Sequence, residues 1–388
     1  MLRFLTAGES HGPVLTAILE GLPAGLPLAA DEIDAQLRRR QQGFGSGGRM
    51  RIEQDRARLA GGVMNGRTTG APVALHIENR DWANWRDRDV KPMTIPRPGH
   101  ADLTGAIKYG YRDLRLSLER ASARETAARV AVGAICRLLL AELGVTMGGY
   151  VVQIGQVRAS LPDTLPYPER LVRAEENDVR CPDPAAAGAM HAAIRQAMAD
   201  RDTLGGIFEV VALNLPPGLG SHVHWDRKLD GQLLAALGSI PAIKGVEVGP
   251  AFENAGRPGT EVHDEILLEE GRLLRPTNRA GGLEGGVTTG QPLVLRAAMK
   301  PISTTLTPLR SVDLANGQPA ATRYERSDIC AVPRAVVIGE AMAAYVLAGA
   351  LLEKLGGDSL DEMHLRLAGL RQARLDDLEM DNVPWRFE

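Results

Sequence analysis

Strand-forming apolar residues run through two stretches of the chain that also match each other. Residues 12–26 (GPVLTAILEGLPAGL) align without a gap on residues 205–219 (GGIFEVVALNLPPGL). Both predict a β-strand ending in a Leu-Pro-x-Gly-Leu turn. Each is followed by a helical pattern, around residues 34–37 in the first copy and 230–233 in the second. A further correspondence joins GGVMNGRTTGAPVAL, which starts at Gly61, to GLEGGVTTGQPLVL, which ends at Leu295. Each copy then closes on a long apolar helix, residues 123–143 and about 334–355. These matches predict two like α/β units, about residues 1–150 and 203–357, packed as pseudo-symmetric halves of one body spanning residues 1–388.

Two segments differ in texture. Residues 161–202 are rich in proline and charge and end in an alanine-rich helix from about Pro184, which predicts a peripheral linker and a surface helix. Residues 358–388 alternate acid with base and predict an exposed helix with a frayed end.

Composition narrows the class. A chain of 388 residues, 44% apolar and 24% charged, can bury a large core. A net charge of −3 and a pI near 6.3 give no overall basic field for nucleic acid. Aromatic residues are only 4% and none lies in a basic stacking pattern, which argues against an RNA-binding protein. The three cysteines, Cys136, Cys181 and Cys330, are unclustered and suit a reducing compartment, so a cytoplasmic location is expected. The N-terminal residues hold no apolar run of signal-peptide length, and no segment reaches the roughly 18 uninterrupted apolar residues of a membrane span.

Glycine-rich loops carrying cations, hydroxyls and histidine recur along the chain, as a site for anionic ligands requires. In Gly8-Glu9-Ser10-His11-Gly12-Pro13 a histidine sits in a sharp turn, as a catalytic group or an ordinary turn residue. Arg38, Arg39 and Arg40 complement a helix C-terminus, but a glycine-rich loop and Arg49 and Arg51 follow, which also fits a phosphate or carboxylate clamp. Arg97-Pro98-Gly99-His100-Ala101-Asp102 is a second histidine turn, kept from helix by Pro92, Pro96 and Pro98. Ser122 and Glu125 have capping-box spacing, and Arg120 and Arg124 beside that helix start equally make an anion site. Lys300 to Thr305 combine a cation, hydroxyls and loop amides, and Asp328 stands two residues after Arg326 before an apolar helix. His222 and His224 would share one strand face, but no third ligand stands at metal spacing, so no metal is expected. Dinucleotide, P-loop and hydrolase-elbow motifs are missing.

Together these motifs resemble one family, the chorismate synthases. The resemblance runs through GESHGP, RRRQQGFGSGGRM, RPGHAD, RASARETAARVAVGAI, SIPAIKGVEVG, TNRAGGLEGGVTTG, AMKPISTT and RSDICAVPRA, in order along nearly the whole chain. It implies an α/β fold, a β-α-β sandwich assembled as a homotetramer, with reduced FMN and 5-enolpyruvylshikimate 3-phosphate in one cleft. FMN contacts would fall on Arg120, Ala121, Ser122, Pro241, Ala242, Gly285, Lys300, Pro301, Ile302, Ser303, Thr304 and Arg326. Substrate contacts would fall on Ser10, Arg40, Arg49, Arg97 and Arg124. NADPH would enter only if the enzyme reduces its own flavin. Ser46 stands where relatives of this type commonly carry arginine, in a loop the family uses for such nicotinamide binding.

The implied reaction removes a proton from C6 and phosphate from C3 of the substrate without net redox change. The resemblance gives His11 the protonation of departing phosphate, His100 the protonation of reduced flavin, and Asp328 an assisting role in proton removal. Histidine suits this work because its unperturbed pKa of about 6.5 lies near working pH. A non-catalytic phosphometabolite or flavin-binding module is the alternative; it would keep the arginine loops without needing His11, His100 and Asp328 together.

Overall fold

β1 (Arg3–Ala7) and β2 (Val14–Glu20) open the chain as an antiparallel pair in this computed structural model, which describes residues 1–47, 54–325, 327–381 and 383–387. On β2 the alternate residues Leu15, Ala17 and Leu19 are buried, as the two-residue strand period requires. In α1 (Ala30–Gln41), Ile33 and Leu37 lie one turn apart and are both buried. After β3 (Ala57–Gly61) and the small hairpin of β4 (Val63–Met64) and β5 (Arg67–Thr68), β6 (Val73–Glu78) completes a four-stranded antiparallel sheet of order β1-β2-β6-β3. Two short helices, α2 (Asp102–Tyr109) and α3 (Arg115–Ala121), lead into α4 (Thr126–Glu142).

The second run begins with β7 (Thr146–Ile154) and β8 (Val157–Arg158), then α5 (Tyr167–Glu175) and α6 (Pro184–Ala199). β9 (Gly206–Leu213), α7 (Leu229–Gly238) and β10 (Ile243–Val248) follow. Short helices α8 (Ala251–Asn254) and α9 (Gly259–Val262) precede two hairpins, β11 (Leu267–Glu269) with β12 (Arg272–Leu274) and β13 (Leu283–Glu284) with β14 (Val287–Thr288). With β15 (Leu293–Met299) the second antiparallel sheet has the order β10-β15-β9-β7-β8. An arm of β16 (Arg310–Asp313) and β17 (Gln318–Ala321) precedes α10 (Val332–Leu355) and α11 (Leu360–Ala368).

Read from β7, the second sheet repeats the first: β7-β9-β15-β10 answers β1-β2-β6-β3. The repeat reaches individual hydrogen bonds. Thr68 Oγ1 donates to the Pro23 carbonyl at 2.6 Å and accepts from the Leu26 N–H at 3.0 Å. Thr288 does the same with Pro216 at 2.7 Å and Leu219 at 2.8 Å. Residues 8–13 join the first two strands of one unit, whereas residues 155–205 join those of the other.

The sheets enclose a helical layer, with α4 against β1 and β2 and α10 against β7 and β9. α4 and α10 cross at Gly133, where an added Cβ would lie 2.3 Å from the Cβ of Ala341. α10 is long and apolar enough to cross a membrane by length and composition, but most of it is buried inside this core. The segment expected to be peripheral is more embedded than its texture suggested. Asp183 caps α6 by accepting from the Ala185 and Ala186 N–H groups, and Ala186, Met190, Ile194 and Ala197 of α6 are buried. α5 covers the outer face of β7, which is why β7 is buried on both sides and lacks the usual alternation.

Candidate active site

Loops from both units converge on one cavity of about 540 Å³. Its wall is built from the β1–β2 turn, the loop after β6, the end of α3, the residues entering β10, the loop after β15 and the start of α10. Among the described residues, the cations there are Arg40, Arg97, Arg124, Lys300 and Arg334.

Arg40 and Arg124 are tied together by a fully buried carboxylate that sequence reasoning did not single out. Asp55 Oδ1 accepts from Arg124 Nη1 at 2.6 Å, and Oδ2 lies 3.4 Å from Arg40 Nη1. Arg40 also donates to Thr126 Oγ1 and the Ala123 carbonyl, both at 3.0 Å. Arg124 donates to Asn79 Oδ1 at 2.7 Å. Burial and the neighbouring Arg334 push the Arg40 guanidinium down to about 9, which leaves it cationic at neutral pH. Arg40 therefore does not sit at the solvent-facing end of α1 as a simple partner of the helix dipole. Arg39 does not either: it is claimed by Glu340 at 2.7 Å and Glu175 at 2.5 Å.

The two histidines share one design. His11 Nδ1 lies 2.8 Å from Glu119 Oε1, and its ring packs against Trp85 with centroids 4.1 Å apart. His100 Nδ1 lies 2.6 Å from Asp102 Oδ1. Asp102 in turn accepts from Arg97 Nε at 2.8 Å and Nη2 at 2.9 Å, while Arg97 Nη1 reaches Thr304 Oγ1 at 3.2 Å. Burial alone would push both carboxyls up. The hydrogen bonds and charges of Arg97 and His100 hold Asp102 well below the usual range, and those of His11 hold Glu119 below it. With each Nδ1 engaged, proton exchange with a ligand falls to Nε2.

Asp328 Oδ1 accepts from the Gly47 N–H at 2.8 Å and Oδ2 from Arg334 Nη1 at 2.5 Å. Lys300 Nζ donates to the Gly99 carbonyl at 3.0 Å, which links the loop after β15 to the histidine turn of the other unit. Ser10 and Ser122 are joined through their hydroxyls at 3.0 Å. Ile240, Pro241, Met299, Ile302 and Ile338 give the cavity an apolar wall. Ala242, with φ of 69°, turns the chain so that its carbonyl accepts from the Lys300 N–H at 3.0 Å.

Of the residues expected from sequence, Ser10, His11, Arg40, Arg97, His100, Ala121, Ser122, Arg124, Pro241, Ala242, Lys300, Ile302, Ser303, Thr304 and Asp328 line this cavity. Pro301 lies within that last loop without lining it. Arg120 turns away, donating to the Thr6 and Gly8 carbonyls, and Gly285 sits in the β13–β14 turn beside His222. Arg49 and Arg326 lie outside the described residues.

Two local expectations are corrected, and the Ser46 loop takes a defined place. Ser122 accepts from the Arg124 N–H, but Glu125 turns to Thr6 and Arg129, so the capping box is half made and a 3₁₀ turn precedes α4. The loop around Ser46 is docked: Ser46 Oγ donates to the Gly43 carbonyl at 2.6 Å, and the Gly45 carbonyl accepts from the Ile329 N–H at 2.9 Å. His222 and His224 lie in a loop before α7, His224 pairs with Asp226, and no metal-binding cluster is present among the described residues. Asp55, Trp85, Glu119 and Arg334 are the site residues that sequence reasoning missed. Asp55, Trp85 and Glu119 fall outside the quoted motifs; Arg334, beside Pro333 in RSDICAVPRA, was within reach.

Comparison with known proteins places the chain in a family. A family model described as chorismate synthase matches residues 2–352. The chorismate synthase of Trichlorobacter lovleyi is 56% identical over 95% of this chain and 100% of its own length. That of Aquifex aeolicus is 54% identical over 94% of this chain and 96% of its own. A crystal structure of chorismate synthase superposes with a TM-score of 0.78 and 48% identity, covering 95% of this chain and 96% of that one. Sequence motifs, sandwich and cavity thus lead to one conclusion: the chain belongs to the chorismate synthase family.

Proposed function

We propose that this chain converts 5-enolpyruvylshikimate 3-phosphate to chorismate and phosphate, with reduced FMN and no net redox change. The observation that carries the reading is one cavity that, among the described residues, gathers five cations with two histidines, each histidine backed by a carboxylate. A non-catalytic binding module would need the cations alone.

The donor set fits FMN. Ser122, the Pro241–Ala242 step and the loop from Lys300 to Thr304 would hold it, with hydroxyls and a cation for its phosphate and the apolar wall for its ring. When bound, reduced FMN supplies electron density while phosphate leaves. The protein binds two anions, keeps them dry and moves protons. Arg40, Arg97 and Arg124 neutralise substrate phosphate and carboxylates. His11, in its charged form, gives its Nε2 proton to departing phosphate and keeps the one on Nδ1, His100 exchanges one at Nε2, and Asp328 assists removal of the C6 proton. NADPH belongs to the reaction only if the chain reduces its own flavin.

We read the active protein as a cytoplasmic homotetramer. Support comes from its three free, buried cysteines and from exposed apolar residues on α2 (Leu103, Ile107, Tyr109) and β11 (Leu267, Leu268). The test of function is anaerobic turnover with chemically reduced FMN. Chorismate and phosphate should form in equal amounts while the flavin stays reduced. Absence of phosphate release under those conditions would overturn the reading.

A further inference from the structure

Glu119, on α3, spends both carboxylate oxygens on one residue. Oε2 accepts from the His11 backbone N–H and Oε1 pairs with Nδ1, both at 2.8 Å. The Glu119 carbonyl also accepts from the Ser10 N–H at 3.1 Å, so one residue grips the turn at three points. Arg115, one helical turn earlier, places Nη1 3.9 Å from Glu119 Oε1. Its buried Nε and Nη1 have no hydrogen-bond partner among the described residues, so they act on Glu119 as charge. Trp85 covers the imidazole face, and its indole N–H donates to buried Asp81 at 3.1 Å.

A carboxylate has two acceptors and no donor. It satisfies the His11 N–H and the ring together only when Nδ1 carries a proton. Resting on the proposed reaction for its catalytic consequence, we infer that Glu119 is the positioning residue of His11. It fixes the Nδ1–H tautomer and, with Trp85 on the ring face, sets the plane in which Nε2 meets the ligand. Glu119→Gln offers a sharp contrast. Glutamine has one acceptor and one donating amide, so with its oxygen on the backbone N–H it turns N–H groups toward Nδ1. The neutral ring must then become the Nε2–H tautomer, and the imidazolium that gives up an Nε2 proton, with N–H on both nitrogens, meets amide N–H groups at Nδ1 and is disfavoured.

The experiment is ¹⁵N-histidine NMR of the ligand-free full-length protein at a pH where the imidazole is neutral, beside steady-state kinetics. Wild type should show His11 protonated at Nδ1, and Glu119→Gln should show it protonated at Nε2. In Glu119→Gln, kcat should fall by about 10²- to 10⁴-fold while KM moves less than about three-fold. Glu119→Asp keeps two acceptors and should retain the wild-type tautomer and recover at least about ten-fold of the lost kcat. An Nε2–H signal in wild type, an unchanged tautomer in Glu119→Gln, or equal kcat losses in the Gln and Asp variants overturns the inference. If Glu119→Gln does not fold, the wild-type and Glu119→Asp signals still decide it. Failure of wild type to release phosphate sinks the proposed reaction instead, because the tautomer is read without substrate.

Discussion

Asp55 is one buried carboxylate between Arg40 and Arg124, the two guanidinium groups proposed above to meet the substrate's anions. Removing its charge leaves Arg40 and Arg124 facing each other without the carboxylate that lies between them. Asp55→Asn should therefore lower the unfolding free energy by about 3 kcal/mol, the scale for breaking a buried pair. Inorganic phosphate should raise the melting temperature of that variant more than that of wild type, because the anion replaces the lost charge. Urea titration and thermal melts in a phosphate series check both. His11→Ala and His100→Ala should act differently, leaving the protein folded with a smaller stability loss than Asp55→Asn and lowering turnover by about 10²-fold or more with chemically reduced FMN. The histidines were legible in sequence because glycine and proline turns advertise an exposed imidazole. Asp55 and Glu119 were not, because each meets its partner only in the folded chain: Glu119 lies 108 positions from His11.

Among elements, the crossing of α4 and α10 depends on a residue with no side chain. At Gly133 an added methyl carbon would meet the Ala341 Cβ at 2.3 Å and its Cα at 2.4 Å, so α10 would have to back away along its length. Alanine is the better helix former by about 1 kcal/mol, yet the overlap should win. Gly133→Ala should lose about 2 kcal/mol net, within the range for overpacking a core. Gly188, exposed within α6 with nothing near its missing Cβ, should behave oppositely, and Gly188→Ala should gain about 0.5–1 kcal/mol. Denaturant unfolding of the pair separates local propensity from packing. The repeated strands, hairpins and long helices were readable because their periods are local. The burial of α6 was readable in principle, since Ala186, Met190, Ile194 and Ala197 fall at helical spacing on one face, but the charge around that segment masked it.

At the scale of the molecule, several carboxylates are bound to arginine or histidine, Asp102 within its own turn and Glu119, Glu175 and Glu340 across elements far apart in sequence. Asp102, Glu119, Glu175 and Glu340 all have folded values held below the ordinary range, Glu175 at about 2. Groups depressed on folding contribute stability that is complete above their unfolded pKa values and is lost as pH falls through the folded ones. Stability should therefore be nearly level from about pH 7 to pH 5 and fall steeply from about pH 4.5 toward pH 2. Urea midpoints across that range measure it; a midpoint unchanged at about pH 3 would contradict the ion-pair account.

The order of elements also governs how the chain emerges from a ribosome. The first sheet is complete by residue 78 and α4 by Glu142, yet the helix that covers α4 begins only at Val332, about 190 residues later. At ordinary elongation rates the apolar face of α4 waits roughly 10–40 s for its partner. Nascent chains stalled before α10 should be held by chaperones or aggregate, and a product truncated at residue 330 should be insoluble while the full chain is not.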